Sequence, residues 1–192
     1  MSKSDPDASR KERKKTIRWV VTIFLVTILI SALISFVSAE IMDVSSVYVA
    51  FVILLLIVLI GIVFDVIGVA VTSAEEKPFH SMAARKVPGS TEAIRLLRNA
   101  ERVSSICNDV IGDICGVVSG AASATIAVRV LSRFSFTWPH VVSLIMSAVV
   151  AGLTVGGKAV GKTFAINSCT QIVAFTGRIV YAFSSIFKKK DR

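Results

Sequence analysis

The sequence predicts an all-α integral membrane protein with about four transmembrane helices plus amphipathic juxtamembrane helices. Of the 192 residues, 54% are hydrophobic and the mean hydropathy is +0.73, whereas a soluble domain is about 45–50% apolar. The apolar residues form long blocks, and a block of about 18 residues crosses the roughly 30 Å hydrocarbon layer as a helix. The blocks do not alternate as barrel strands do, and lipid leaves no partner for open backbone groups, so helices are predicted.

The N-terminal part predicts a basic cytosolic tail over residues 1–18 and a transmembrane anchor over residues 19–39. The same order of basic and apolar residues is also typical of a signal peptide, for which residues 37–39 offer a cleavage site. The apolar stretch is longer than the roughly 7–15 residues of a signal h-region, which favours an uncleaved anchor.

Three further spans follow the anchor. A short loop with acidic residues and no basic residue leads into the second span, residues 47–73, which is the most apolar part of the chain. The third span is predicted over about 109–131 and the fourth over about 140–160. The aromatic loop of residues 133–139 joins them, and an aromatic residue such as Trp138 is typical of the headgroup level.

The segment between the second and third spans is polar and basic, and Pro78 and Pro88 interrupt it. After Pro88 the spacing of apolar residues becomes helical, with arginines on the opposite side, as in a helix at the membrane interface. The predicted apolar face comprises Ala93, Leu96, Leu97, Ala100 and Val103, and the predicted polar face comprises Arg95, Arg98, Asn99 and Arg102.

The charges predict the topology. With the basic tail inside, four spans return the chain to the inside, which places the basic end of residues 188–192 in the cytosol. Residues 163–187 are amphiphilic and are predicted to lie along the inner interface. A fifth span there would place the basic end outside, against the charge rule, but this alternative remains open. The prediction is therefore a multi-pass protein of the cell membrane with both termini cytoplasmic.

The net charge of +9 does not indicate nucleic-acid binding. Lys and Arg cluster at the chain ends and beside the apolar blocks, where the positive-inside rule and anionic lipids account for them. No nucleic-acid recognition motif accompanies them. The predicted partner is the lipid bilayer, and no nucleic acid is expected.

No pattern of an enzyme is visible. The three cysteines, Cys107, Cys115 and Cys169, are odd in number and lack metal-site spacing, which argues against a disulfide framework or a zinc site. His80 and His140 lie far apart, and no Ser/His/Asp or Cys/His combination is present. The sequence therefore predicts neither an enzyme nor a cofactor.

The candidate functional residues among the ionisable groups of the predicted spans are Asp65, Asp109, Asp113 and Lys158. Such groups are costly in a membrane and usually functional. Asp109 and Asp113 are four residues apart and are predicted to share a helix face. One interpretation is a hard-cation site, since magnesium prefers oxygen ligands and often uses only one or two carboxylates. The alternative is structural: Asp109 and Asp113 favour a helix N-terminus, and Asp65 pairs with Lys158.

Glycines at fourth-residue spacing flank these acids. Such small-xxx-small rows let helices approach closely, which predicts that spans three and four pack tightly with the acids near their seam. The rows are Gly112, Gly116 and Gly120 in span three, with Gly152, Gly156, Gly157 and Gly161 in span four.

Three motifs in order resemble the transmembrane domain of the cyclin M (CNNM) / CorB–CorC magnesium-transporter family. Residues 64–73, FDVIGVAVTS, resemble its F-S-G-x-E-x-A-L-T-S. Residues 101–102, followed by 111–113, resemble its E-R and I-G-N. Residues 157–165, GKAVGKTFA, resemble its G-E-I-x-P-K-x-x-A. The resemblance implies that residues 47–187 form a three-span domain, without the family's cytosolic regulatory domains. It also implies a homodimer and transport or efflux of magnesium or cobalt.

The departures from the family motifs concern charge. Asp65 stands where the family has Ser, Gly68 where it has Glu, and Asp113 where it has Asn. Lys158 stands where the family has a Glu that faces the ion, and Gly161 where it has Pro. An ammonium between Asp65 and Asp113 would substitute for a bound metal. Alternatively, Lys158 extends toward the inner interface and leaves the acids free.

Two functional hypotheses follow. The first is a homodimeric divalent-cation transporter, with Mg²⁺ as a possible transported ion, in which Asp65 and Asp113 carry the ion. Ser73, Asn108 and Asp109 would then lie at its inner mouth. The second is a membrane scaffold or partner subunit that does not transport, because an Asp–Lys pair replaces the ion site.

Overall fold

The computed structural model describes residues 6–133 and 138–190, and within these ranges the chain is all-α with no strand. This confirms the predicted fold class. The elements are α1 (Pro6–Val44), α2 (Val47–Ser73), α3 (Lys77–Ala84), α4 (Ser90–Arg98), α5 (Ala100–Ser105), a π-helical segment (Ile106–Gly112), α6 (Asp113–Arg133), α7 (Pro139–Asn167) and α8 (Cys169–Lys190).

Four of the described helical stretches are long and apolar enough to cross a membrane, as predicted. They are Thr16–Ile41, Val47–Ser73, Ala100–Ser132 and His140–Asn167. The third stretch runs without interruption through α5, the π segment and α6. It therefore begins well before residue 109, where the sequence pattern had placed the start of span three.

Helix α2 is the central element and contacts α5, the π segment, α6, α7 and α8. Its apolar residues enter two separate packing clusters. One cluster joins Ala50 and Leu54 to α6. The other joins Ala70 and Val71 to α3, α4, α7 and α8, with Phe79 fully buried at its centre. The middle of α2 lies between the two clusters, and this is where Asp65 occurs.

The remaining spans attach around this centre. Helix α1 packs on α6 through Ile23 and Ile30, which contact a cluster of Val110, Ile114 and Val118.

Helices α3 and α4 lie at one end of the bundle, which we call the α4 end. The opposite end, where α7 begins next to Trp138, we call the Trp138 end.

The short helices begin where the sequence predicts a break. Pro78 occupies the first turn of α3, a position that tolerates its missing N–H. Gly89 precedes α4 with φ +84°, a left-handed conformation that favours glycine. The predicted apolar face of this region is confirmed: Ala93 and Leu97 are buried, and Leu96, Ala100 and Val103 pack against the same cluster. The predicted polar residues are exposed.

The boundary after the fourth span differs from the prediction. Helix α7 continues past residue 160 to Asn167, and the break comes at Ser168. Helix α8 packs on α4 and α2 through Val173 and Gly177, both of which are buried. Its predicted apolar face is mostly exposed on the other side, with Phe175 64% and Phe183 62% exposed. Helix α8 is not among the candidate spans of the described chain.

Spans three and four pack on each other, as α6 contacts α7, but the predicted role of the glycine rows is wrong for four of the seven glycines. A methyl group added at Gly116, Gly120, Gly152 or Gly156 would meet no atom within 4 Å, so these residues do not bring α6 and α7 into close contact. The close approach involves α2 instead. Gly157 and Gly161 of α7 lie against the side chains of Ile62 and Val66.

Candidate functional site

Asp65 is the most buried acid of the described spans. Only 3% of the residue is exposed, and its Oδ2 atom has no hydrogen-bond partner. Burial of an unpaired carboxylate is very costly, so the group requires a nearby charge or polar ligand. Asp65 is buried because it lies on the same face of α2 as Gly61 and Gly68. Both glycines are buried against α6 and the π segment.

Lys158 of α7 provides that charge. Its Nζ atom lies 3.9 Å from Asp65 Oδ1 and 3.9 Å from Asp113 Oδ1. It also donates a long hydrogen bond of 3.5 Å to the carbonyl oxygen of Gly112. The fold therefore brings together Asp65, Asp113 and Lys158, the three charged residues that depart from the family motifs. The Lys158 ammonium lies between the two carboxylates.

Lys162 is a member of this site that the sequence hypotheses left out. Its Nζ atom lies 3.9 Å from Asp65 Oδ2, while its side chain remains 53% exposed. Two lysines thus balance two carboxylates, and the four residues form a neutral group that we call the charge network. The signal was present in the sequence, because Lys162 follows Lys158 by four residues and shares its helix face.

Asp109 lies within the π segment, and Asp113 follows it as the first residue of α6. In π geometry the bonds run from i to i+5, so Asp109 and Asp113 do not act as an ordinary i,i+4 pair. Asp109 accepts a hydrogen bond of 2.9 Å from Ser105 Oγ, whereas Asp113 joins the charge network. The capping interpretation is wrong for both acids, because the helical stretch is continuous from Ala100 to Ser132 and no free N-terminus exists there.

Asn108 packs against α2. A methyl group added at Gly68 would collide with the Asn108 side chain, so Asn108 could not keep its position against α2. The Asn108 amide donates to Ser104 Oγ at 3.2 Å, but its Oδ1 atom is buried without a partner. It is a second buried oxygen, after Asp65 Oδ2, that is free to accept from a ligand.

The predicted inner mouth is only partly assembled. An open cavity of about 970 Å³ lies between the start of the first span, the end of α2 and α5, and Asp109, Thr72 and Arg102 line it. Ser73 and Asn108 do not line this cavity. Ser73 is exposed at the last position of α2, so it belongs to the surface near the mouth.

The donor set fits a hydrated cation better than a fully ligated one. Among the described residues, no three His, Cys, Asp or Glu side chains are close enough together to hold a metal ion. Two carboxylates are sufficient for magnesium, which usually keeps several waters. Such an ion would have to displace Lys158, since the ammonium lies between the two carboxylates.

Comparison with protein-family profiles, with curated proteins and with solved structures finds no match for this chain. The resemblance to the cyclin M / CorB–CorC family therefore stays a prediction from three short motifs.

Proposed function

We propose that the protein transports a divalent cation, magnesium or cobalt, and that Lys158 occupies the ion site between transport events. The observation that carries the proposal is the position of one ammonium 3.9 Å from two carboxylates on different helices. An arriving cation would replace the lysine charge with its own. The carboxylates would then stay neutralised throughout, which avoids the cost of an isolated buried charge.

The lysine has a route away from the site. Its side chain is 21% exposed, and long lysine side chains in spans can extend toward the membrane interface. Lys162 lies one helical turn closer to the α4 end and is more exposed. Movement of both side chains in that direction would leave Asp65 and Asp113 facing the ion.

We further propose that the protein works as a homodimer. The Asp113 side chain is 71% exposed in this single chain, although it lies inside a candidate span. A charged group at such a position faces water or another protein surface rather than lipid. A second copy of the chain would supply that cover and keep the ion site away from lipid.

A second candidate function is a membrane scaffold or partner subunit that does not transport. The neutrality of the charge network favours it, because two lysines already balance both acids within the described chain. In this case the lysines fix α7 to α2 permanently, and the polar residues serve only the fold.

Magnesium binding to the purified protein in detergent, measured by calorimetry, separates the two candidates. Under the transport proposal the wild type binds magnesium, and Asp113→Asn removes the binding. If only Lys158→Glu binds, the site exists but the native lysine closes it, and the scaffold candidate is preferred. If neither protein binds, the cation proposal is wrong.

Lys162→Glu is the matched control for Lys158→Glu. It makes the same change of charge one turn away, at a side chain that approaches only Asp65 among the acids described. A gain in binding that is specific to residue 158 therefore reports on the position between both carboxylates, whereas an equal gain in both variants reports only on overall charge.

A further inference from the structure

A cleft of about 250 Å³ lies between α6 and α7 on the Trp138 side of the charge network. Four hydroxyl side chains, two glycines and three apolar residues line it: Gly116, Ser119, Gly120 and Ser123 on α6, with Ser147, Val150, Ala151, Thr154 and Val155 on α7. Side chains that face lipid are usually apolar, so four hydroxyl groups in one cleft are not expected of a lipid-facing surface. The volume is sufficient for several water molecules.

One hydroxyl in this cleft lacks a partner. Ser123 is 1% exposed, and its Oγ atom is buried without a hydrogen bond. Buried polar atoms of this kind usually contact an ordered water or an ion. Of the four such atoms among the described side chains, Asn108 Oδ1, Asp65 Oδ2 and Ser123 Oγ follow one another along the bundle from the α4 end toward the Trp138 end.

The cleft begins close to the charge network on both helices. Gly116 follows Gly112, the carbonyl partner of Lys158, by four residues, and Thr154 precedes Lys158 by four residues. Four residues of α-helix span about 6 Å. The Ser119 and Thr154 hydroxyls donate to carbonyls of their own helices, at 2.9 Å and 2.8 Å. Their oxygen lone pairs can still accept from water or contact a cation.

We propose that this cleft is a water-filled half-channel that joins the charge network to the Trp138 side of the membrane. It carries water and small hydrated cations to Lys158. The inference rests on the proposed function, since a site that exchanges ions needs access from this side of the membrane. Its test measures water access alone, so it does not depend on whether any cation is transported.

The test uses single cysteines in a background in which Cys107, Cys115 and Cys169 are replaced by alanine. Ser123→Cys is compared with Val117→Cys and Val128→Cys, which lie on the same helix on either side of it and are 65% and 67% exposed. Each protein is reconstituted into phosphatidylcholine vesicles and treated with a small cationic methanethiosulfonate. The reaction needs a hydrated thiolate, so we expect Ser123→Cys to react at least about ten-fold faster than either valine variant.

Equal, slow reaction of all three cysteines would show a dry cleft and would overturn the proposal. Ser119→Cys provides a second cleft position in case Ser123→Cys does not fold, as judged by gel filtration. Ser147→Cys tests the competing occupant, a second copy of the chain. If Ser147→Cys forms a disulfide between chains while Ser119→Cys and Ser123→Cys stay unreactive, the cleft is a contact between copies and not a half-channel.

Discussion

The Nζ atom of Lys158 on α7 lies 3.9 Å from the Oδ1 atom of Asp65 on α2. The two residues are far apart in the sequence, and the contact links α7 to the central helix α2. Because Asp65 is almost fully buried, this pairing determines whether the middle of the bundle can hold a charge at all.

Removal of one partner of the pair is expected to destabilise the protein more than removal of both. In soluble cores, loss of one member of a buried ion pair costs about 3–5 kcal/mol, because the other charge remains unpaired. We expect Lys158→Met and Asp65→Asn each to lower the melting temperature in detergent. The double variant with both changes should be closer to wild type than either single variant.

Lys162→Met is the control for this series. Its side chain is 53% exposed and contacts Asp65 alone among the described acids, so the expected loss of stability is smaller than for Lys158→Met. Additive losses in the Asp65→Asn, Lys158→Met double variant would contradict an energetic coupling between the two residues.

Gly177→Ala is expected to separate α8 from α4. A methyl group at this position would lie 2.5 Å from the Gly89 carbonyl oxygen and 2.9 Å from the Ala93 Cβ atom, so the backbones would have to move apart. Overpacking of this kind costs about 1–3 kcal/mol. Gly152→Ala is the matched control, since no atom lies within 4 Å of its added methyl group. Similar thermal stability of the two variants would contradict the described α4–α8 contact.

Gly68→Ala is expected to disturb the ion site without a change of charge. The added methyl group would collide with the Asn108 side chain and displace its buried Oδ1 atom from α2. If magnesium binding is found for the wild type, Gly68→Ala should weaken it. Gly116→Ala, which adds the same group in open space on α6, should leave the affinity unchanged, and an equal loss in both would indicate a general effect on folding.

The C-terminal helix is expected to lie along the membrane rather than to cross it. The exposed apolar residues of α8, such as Phe175 and Phe183, would then contact lipid, and both chain ends would be cytoplasmic. A cysteine at Ser185 and one at Ser4 should therefore react with a membrane-impermeant maleimide from the same side of oriented vesicles. Reaction of Ser185→Cys from the opposite side would support the alternative of a fifth span.

The sequence was sufficient to select those site residues that are unusual by their type and position alone. An acid in the most apolar helix and a lysine in another span are rare enough that Asp65 and Lys158 could be selected from the residues alone. Asp113 was selected with them, and the fold places all three together. Lys162 was left out, although it stands in the quoted stretch 157–165 four residues after Lys158.

Other features could not be read from the sequence. The π segment has no clear composition signal. The spacing predicted that Asp109 and Asp113 share a helix face, but not that Asp109 bonds Ser105 while Asp113 approaches Lys158. The glycine rows gave the spacing of a close helix contact but not the partner helix. Only the arrangement of the spans shows that Gly157 and Gly161 face α2, while Gly116 and Gly120 border an open cleft.

The sequence by itself determined that the chain is helical and has four segments able to cross a membrane, because hydrophobic length and the need for internal backbone hydrogen bonds are properties of each segment alone. The tertiary structure decided which polar groups meet. A charge in a span must find a partner on another helix. Whether Lys158 reaches Asp65, Asp113 or the interface depends on the rotation and depth of α7 against α2, which the local sequence does not specify.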